Sequence, residues 1–298
     1  MKVAAIIVTY NRKKLLLENI EALLHQSIDN DILTIIVVDN HSTDGTAEAV
    51  EPYSTNKKII YLDTGKNLGG AGGFHYGIKY VAEHNFDYIW IMDDDCIPTS
   101  NALEALLNAS KKINKSYGFL ASKVLWKDNT ICKMNVQRIS LWKNVDDWKS
   151  SIVPIIMSSF VSLFVPVKNV RDFGLPIKEF FIWTDDWEFT RRISRNLPCY
   201  LVNDSIVVHK SNNNFGANIA TEDVDRLDRY NYLYRNDVFL YRREGLEGIL
   251  YELLRIGFHT LKVLKDAPNK KIIRLMKIYK ATYKGLSFSP TIEFPLRK

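Results

Sequence analysis

The sequence predicts an α/β protein: a mostly parallel twisted sheet flanked by helices, with a helical appendage at the C-terminal end. Three observations carry this. Apolar runs alternate with helical periodicity through the first third of the chain, polar residues gather where each run stops, and helical patterns dominate beyond Thr221.

Residues 3–8 are continuously apolar, as a parallel strand covered on both faces must be, and Thr9-Tyr-Asn-Arg12 leads into a helix carrying Leu15, Leu16, Ile20, Leu23 and Leu24. Residues 32–38 form the next strand, which stops at Asp39-Asn-His-Ser-Thr-Asp-Gly45, a turn and helix-cap composition. Residues 58–62 give a third strand, 73–84 a helix and 86–92 a fourth strand ending at Asp93-Asp94-Asp95. A helix over 101–113 and a strand over 117–125 follow. Residues 126–153 are polar and aperiodic, equally suited to shaping a specificity pocket or to a long surface connection. Residues 155–165 read as one strand, 167–173 and 185–195 as helices, and 205–208 as a short strand. The expected domains are residues 1–220 and a basic, amphipathic helical region, 221–298.

At 298 residues, 46% hydrophobic and 25% charged, the chain is globular. Three scattered cysteines give neither a disulfide framework nor paired zinc spacing. No apolar stretch reaches the roughly 18 residues that span a bilayer, and an apolar strand begins directly after Met1-Lys2. A cytoplasmic location is therefore expected, with no nucleic-acid partner. The formal net charge is +6, and its excess lies from Leu246 onward, where Arg255, Lys262, Lys265, Lys270, Lys271, Arg274, Lys277, Lys280, Lys284, Arg297 and Lys298 stand against Glu247, Glu252, Asp266 and Glu293.

Adjacent carboxylates repel and raise one another's pKa unless a cation sits among them, so the Asp93–Asp95 triplet calls for a positive partner. Oxygen-rich clusters select hard divalent ions such as Mg²⁺ or Mn²⁺. A solvated loop with Asp95 or Thr99 capping the next helix is the simpler alternative, but three acids after five large apolar residues fit it poorly. Thr9, Asn11, Arg12, Asp39 and Asn67 fall at neighbouring strand ends, where open α/β sheets bind ligands. Asn67-Leu-Gly-Gly-Ala-Gly-Gly-Phe74 holds four glycines at a strand-to-helix junction, which lets backbone N–H groups approach an anion or sugar, with Gly70 and Gly73 as candidate contacts. A second acidic cluster, Asp185, Asp186 and Glu188, lies among Trp183, Trp187 and Phe189. Partial burial there would raise a carboxylate toward general-base range, while the position also suits a helix N-terminus. Glu188 is expected to pair with Arg191 or Arg192. His209 ends a strand before a polar loop and is either structural or the imidazole of a carboxylate metal site.

Taken together, these residues resemble the family-2 inverting glycosyltransferases of the GT-A Rossmann-like fold. The opening Ile7-Val-Thr-Tyr-Asn11, the strand end Val37-Val-Asp-Asn-His-Ser-Thr-Asp-Gly45, the triplet in the place of the Asp-x-Asp signature, and Asp185-Asp186 carry the resemblance across about residues 1–215. Within the family, the Gly-rich stretch, the triplet and a tryptophan before the acidic pair are most similar to galactofuranosyltransferases, with dTDP-rhamnose-using rhamnosyltransferases as near neighbours. One departure is Thr184, inserted where the galactofuranosyl pattern is Trp-Asp-Asp. The resemblance implies metal binding by Asp93, Asp95 and His209, catalysis by Asp186, and nucleotide contacts by Thr9, Asn11, Arg12, Asp39, Asn67 and Asp94. It further implies donor or acceptor contacts at Gly70, Gly73, Trp183, Asp185 and Trp187, a UDP-sugar donor, Mn²⁺ or Mg²⁺, and a saccharide or lipid-linked acceptor of a bacterial surface polysaccharide.

Two other classes stay open: a metal-dependent nucleotidyltransferase, and a non-catalytic nucleotide-sugar sensor. The first usually has a Gly-rich loop with a basic residue near the first strand, where Thr9-Tyr-Asn11 stands here; the second has no need of a base such as Asp186. The stretches 246–258 and 272–279 are amphipathic with a basic bias, suiting peripheral docking at an anionic membrane. A helix pair packed on the catalytic domain, or on a second copy in a homo-oligomer, is the alternative. Tyr230-Asn-Tyr-Leu-Tyr-Arg-Asn236 is similar to the Tyr-rich stretch that follows the catalytic domain in related sugar transferases.

Overall fold

The computed structural model describes residues 1–29, 31–54, 58–114 and 116–296; Arg297 and Lys298 of the basic tail lie outside this set. Strands β1 (Val3–Thr9), β2 (Leu33–Asp39), β3 (Ile59–Asp63) and β4 (Tyr88–Asp93) alternate with helices α1 (Lys13–Leu24), α2 (Thr46–Ser54) and α3 (Gly69–Ala82). They form a parallel array in the order β3-β2-β1-β4. Every residue of β1 is buried, because helices cover both faces, and this forces the uninterrupted apolar sequence. Thr9 aligns with Asp39 and Val8 with Asp93, so the polar strand ends meet on one edge.

Beyond β4 the sheet turns mixed. The later elements are β5 (Cys96–Pro98), α4 (Ala102–Lys112), β6 (Leu120–Trp126), β7 (Ile152–Ile155), β8 (Leu163–Pro166), α5 (Val167–Phe173), α6 (Asp185–Ser194) and β9 (Cys199–His209). The order continues β4-β8-β6-β9-β5; β8 is antiparallel to β4 and β6, and β5 and β7 are antiparallel to β9. Two expectations change here. The single strand over 155–165 is two strands, β7 and β8, separated by buried Ser158, Ser159 and Ser162, and the strand at 205–208 extends back to Cys199. Asn203 and Asp204 hid the longer strand: Asn203 is buried but donates to the carbonyls of Asp147 and Ser150.

The C-terminal helices are α7 (Tyr230–Tyr241), α8 (Gly245–Asp266) and α9 (Lys271–Ser287). Tyr230 and Tyr234 of α7, Ile256 and Val263 of α8, and Ile278 and Ala281 of α9 share one core, against which Trp183 packs. Among the described residues no helix is long and apolar enough to cross a membrane.

Candidate active site

The triplet forms the turn between β4 and β5, and its three carboxylates point to different partners. Asp94 is buried; one oxygen lies 2.9 Å from Arg12 Nη1, and the other accepts a 2.8 Å hydrogen bond from Thr9 Oγ1. The Arg12 guanidinium also reaches Asp95 Oδ2 at 2.7 Å. Asn19 of α1 fixes the turn's backbone by donating to the carbonyls of Asp93 and Cys96. Thus part of the positive partner is Arg12, at the end of the first strand's loop. Thr9, Arg12 and Asp94, expected on a nucleotide, are engaged with one another, because a buried carboxylate at a strand end needs a donor and a counter-charge.

Asp93 and Asp95 remain beside His209, which the antiparallel pairing of β5 with β9 sets opposite Cys96. One ligand atom from each of the three lies within 4.8 Å of the others. Asp95 Oδ1 is buried and accepts no hydrogen bond, although His209 Nε2 stands 3.1 Å away as an ion-pair contact. The far ring nitrogen, Nδ1, is 2.8 Å from Asn135 Oδ1, with Cys132 Sγ 3.7 Å off. Residues 126–153 therefore contribute to the site from beneath, through Cys132 and Asn135.

The electrostatics follow from burial and these partners. Burial and the Asp95 charge push Asp93 up to about 6; burial pushes Asp94 up to about 7 against the pull of Arg12. Burial would also raise Asp95, but His209 and Arg12 outweigh it and hold the carboxyl down to about 2. For His209 burial works downward, yet Asp95 and Cys132 lift the imidazole to about 10.

The second acidic cluster starts α6. Burial pushes Asp185 up to about 7, and both Asp185 and Asp186 feel the negative charge of Asp93. Asp186 rises well above the carboxylate range through burial and its neighbour Asp185, while its Oδ1 accepts the Trp187 N–H at 2.7 Å. Glu188 pairs with Arg192 at 2.9 Å, whereas Arg191 crosses to Glu244.

The loop before α6 is held in an unusual shape. Phe181, Trp183 and Thr184 have φ of 64°, 64° and 70°, the left-handed region that side chains disfavour. Fully buried Asn236 of α7 donates to the carbonyls of Phe180, Ile182 and Trp183 at 3.0, 3.2 and 3.0 Å. Thr184 Oγ1 donates to Asp237 at 2.6 Å, and Asp237 in turn pairs with Arg255 of α8. The inserted threonine is thus a tether to α7. Trp183 packs on Tyr230 with Arg229 4.8 Å from its ring, and Trp187 stacks under Arg138 at 4.4 Å, so both rings are partly covered.

The glycine cluster needs a correction. Helix α3 begins at Gly69, not Gly73, so the glycines form its first turns. A Cβ on Gly69 would fall 2.2 Å from the Phe181 carbonyl oxygen, and one on Gly73 2.5 Å from Val8 Cγ1; only Gly70 of the pair expected to touch ligand faces open space. Close packing of α3 under the 181–184 loop and on β1 is what these positions require. Just before that helix Asn67 accepts the Gly69 N–H at 2.8 Å, closing a local turn. Asn11 is in the left-handed region and accepts the Thr43 N–H at 2.7 Å, joining the β1 and β2 loops. Buried Asp39 accepts from Ser42 and from Tyr61 Oη at 2.6 Å, bracing the same turn.

Residues 4–138 match the sequence profile described as Glycosyl transferase family 2. The chain carries a family 2 glycosyltransferase domain. This glycosyltransferase is 27% identical over 294 residues to galactofuranosyltransferase GlfT1 of Mycolicibacterium smegmatis, covering 93% of this chain and 95% of that protein. GlfT1 of Mycobacterium tuberculosis (strain H37Rv) is 26% identical, covering 89% and 90%. Among solved structures, S. aureus TarS in complex with UDP superposes with a TM-score of 0.55 at 16% identity, covering 97% of this chain and 73% of that one. At that identity the likeness speaks for the GT-A fold alone.

Proposed function

We propose that this glycosyltransferase is an inverting, divalent-metal-dependent enzyme that moves galactofuranose from UDP-galactofuranose onto a saccharide or lipid-linked acceptor in bacterial surface polysaccharide synthesis. The observation that carries the mechanism is the division of the acids into two groups across one site. The Asp93, Asp95 and His209 cluster has a buried, hydrogen-bond-free oxygen on Asp95, and Asp185 and Asp186 lie within the field of Asp93. Full-length similarity to galactofuranosyltransferases supports the donor.

Asp93, Asp95 and His209 fit a divalent ion: two carboxylates and an imidazole suit Mn²⁺ better than the all-oxygen shell that Mg²⁺ prefers. Bound there, the ion would supply the charge that lets a nucleoside diphosphate depart without a protein acid. Asn135 accepts from His209 Nδ1 and so turns Nε2 toward the carboxylates. Arg12 keeps Asp94 and Asp95 in place from the other side. Asp186 takes the proton of the acceptor hydroxyl as that oxygen attacks the anomeric carbon opposite the leaving group; a carboxylate of raised proton affinity is suited to that transfer. One displacement inverts the centre.

Calorimetry with UDP, with and without Mn²⁺, tests the division of roles. Asp186→Asn is expected to abolish transfer with nucleotide binding nearly intact, and Asp95→Ala to lose the Mn²⁺-dependent part of binding. Equal loss of binding in both variants refutes the division. Nucleoside diphosphate release from UDP-galactofuranose, UDP-galactopyranose and dTDP-rhamnose in the presence of acceptor tests the donor.

A further inference from the structure

A helix that packs on a protein by one stripe ordinarily shows polar residues on the other. Helix α8 does not. Its inner stripe, Gly248, Glu252, Ile256 and Val263, is buried. The opposite stripe carries Leu246, Leu250, Leu254, Leu261 and Leu264, each more than half exposed, and open Gly257 lies among them. Helix α9 repeats the arrangement: Ile278 and Ala281 face the shared core, while Ile272, Met276, Tyr279 and Tyr283 face outward. Thr260 and Tyr279 hydrogen-bond across the two helices at 3.0 Å, so the outward stripes adjoin. At ~1.5 Å per residue, α8 offers an apolar ridge about 27 Å long from Leu246 to Leu264.

The charges around this ridge are mostly positive. Lys265, Lys270, Lys271, Lys280 and Lys284 are exposed on or between the two helices, against exposed Glu247 and Asp266. A two-fold contact with a second copy would set this cationic rim against itself, because the same patch serves both partners. An anionic bilayer offers both complements at once: acyl chains for the leucines and headgroups for the lysines.

We infer that the outward face of α8 and α9 is a membrane-docking surface that lies on anionic lipid with the helix axes in the plane of the interface. This goes beyond the transfer reaction and does not depend on the donor assignment. The docked helices adjoin the catalytic loop, since Arg255 of α8 pairs with Asp237, which holds Thr184. A lipid-linked acceptor would thus be met at the surface where its lipid is anchored.

The experiment is co-sedimentation of the full chain with vesicles of equal parts phosphatidylglycerol and phosphatidylcholine, and with phosphatidylcholine alone. Wild type should partition onto the anionic vesicles and lose that partitioning in high salt. Leu250→Gln/Leu254→Gln/Leu261→Gln should partition at least ~10-fold less, as losing several buried side chains demands, with UDP affinity and circular dichroism unchanged. Lys265→Gln/Lys280→Gln/Lys284→Gln should lose the preference for anionic over zwitterionic vesicles. No partitioning by wild type, or equal partitioning by wild type and the leucine variant, overturns the inference. So does a stable dimer in sedimentation velocity that the leucine substitutions dissociate, which would assign the face to a second copy. None of these readouts needs turnover, so an error in the proposed chemistry cannot imitate a failure of docking.

Discussion

Replacing Asn236 by alanine should damage catalysis more than it damages the fold. The side chain is fully buried and donates to three carbonyls of the 180–183 segment, at 3.0–3.2 Å. That segment includes two of three residues held in the left-handed region, at a cost of order 1–3 kcal/mol each. Alanine leaves those carbonyls without their donor, worth roughly 1–3 kcal/mol when buried acceptors go unpaired. The strain then has less to oppose it, and the loop can relax toward ordinary backbone angles. Because α6 begins at Asp185, relaxation moves Asp186. A displacement of about 1 Å at a reacting group can cost on the order of 100-fold in rate. We therefore expect kcat to fall ~10–100-fold, with the KM for donor within a few-fold and a drop in Tm of several degrees at most. Steady-state kinetics with saturating acceptor, paired with thermal unfolding, measures both. If kcat is unchanged while Tm falls, Asn236 only supports the fold and the positioning argument fails.

Three further outcomes test other parts of the site. Asn135→Ala should weaken Mn²⁺ affinity ~10–100-fold by freeing the orientation of His209, measured by metal titration of nucleotide binding; unchanged affinity would deny the residue that role. Gly69→Ala has φ +73° and a Cβ meeting the Phe181 carbonyl at 2.2 Å, so it should lower kcat as Asn236→Ala does, from the opposite side of the loop. Glu293, on the segment after α9, is held at about 2 by hydrogen bonds from Lys79 and Lys178. Its folded pKa lies below its ordinary 4.5, so the stability it supplies is present above that value and fades as pH falls toward about 2. The Tm gap between wild type and Glu293→Gln should close over that interval, and a pH-independent gap would show that charge is not its source.

The first four strands and the acidic turn were legible because each depends on a run of one residue character. Burial on both faces demands continuous apolar sequence, and residues 3–8 could hardly be read otherwise. The remainder depends on single polar residues inside apolar surroundings. Asn19, Asn135 and Asn236 carry no signal of their own in the sequence, yet each is buried and hydrogen-bonded to backbone carbonyls or a ring nitrogen of the site. No periodicity marks such a position, since its partner lies far away in sequence. The glycines misled for a related reason. Four of them near a strand end suggest room for a ligand, but glycine also makes room for another piece of protein, here the Phe181 carbonyl and Val8.

The triplet itself shows why the acids had to divide their work. Three neighbouring carboxylates cannot share one environment without raising one another's proton affinity. Asp94 is withdrawn onto Thr9 and Arg12, and Asp95 is shared between Arg12 and His209. Burial and the Asp95 charge raise Asp93 to about 6. The Asp93 charge adds to burial in lifting both acids of the second cluster. A divalent ion at Asp93 and Asp95 would relieve the repulsion within the triplet and would also offset the part of the Asp93 charge that reaches the second cluster. On this account metal and base are coupled through Asp93, while burial and the neighbouring Asp185 act more strongly on Asp186.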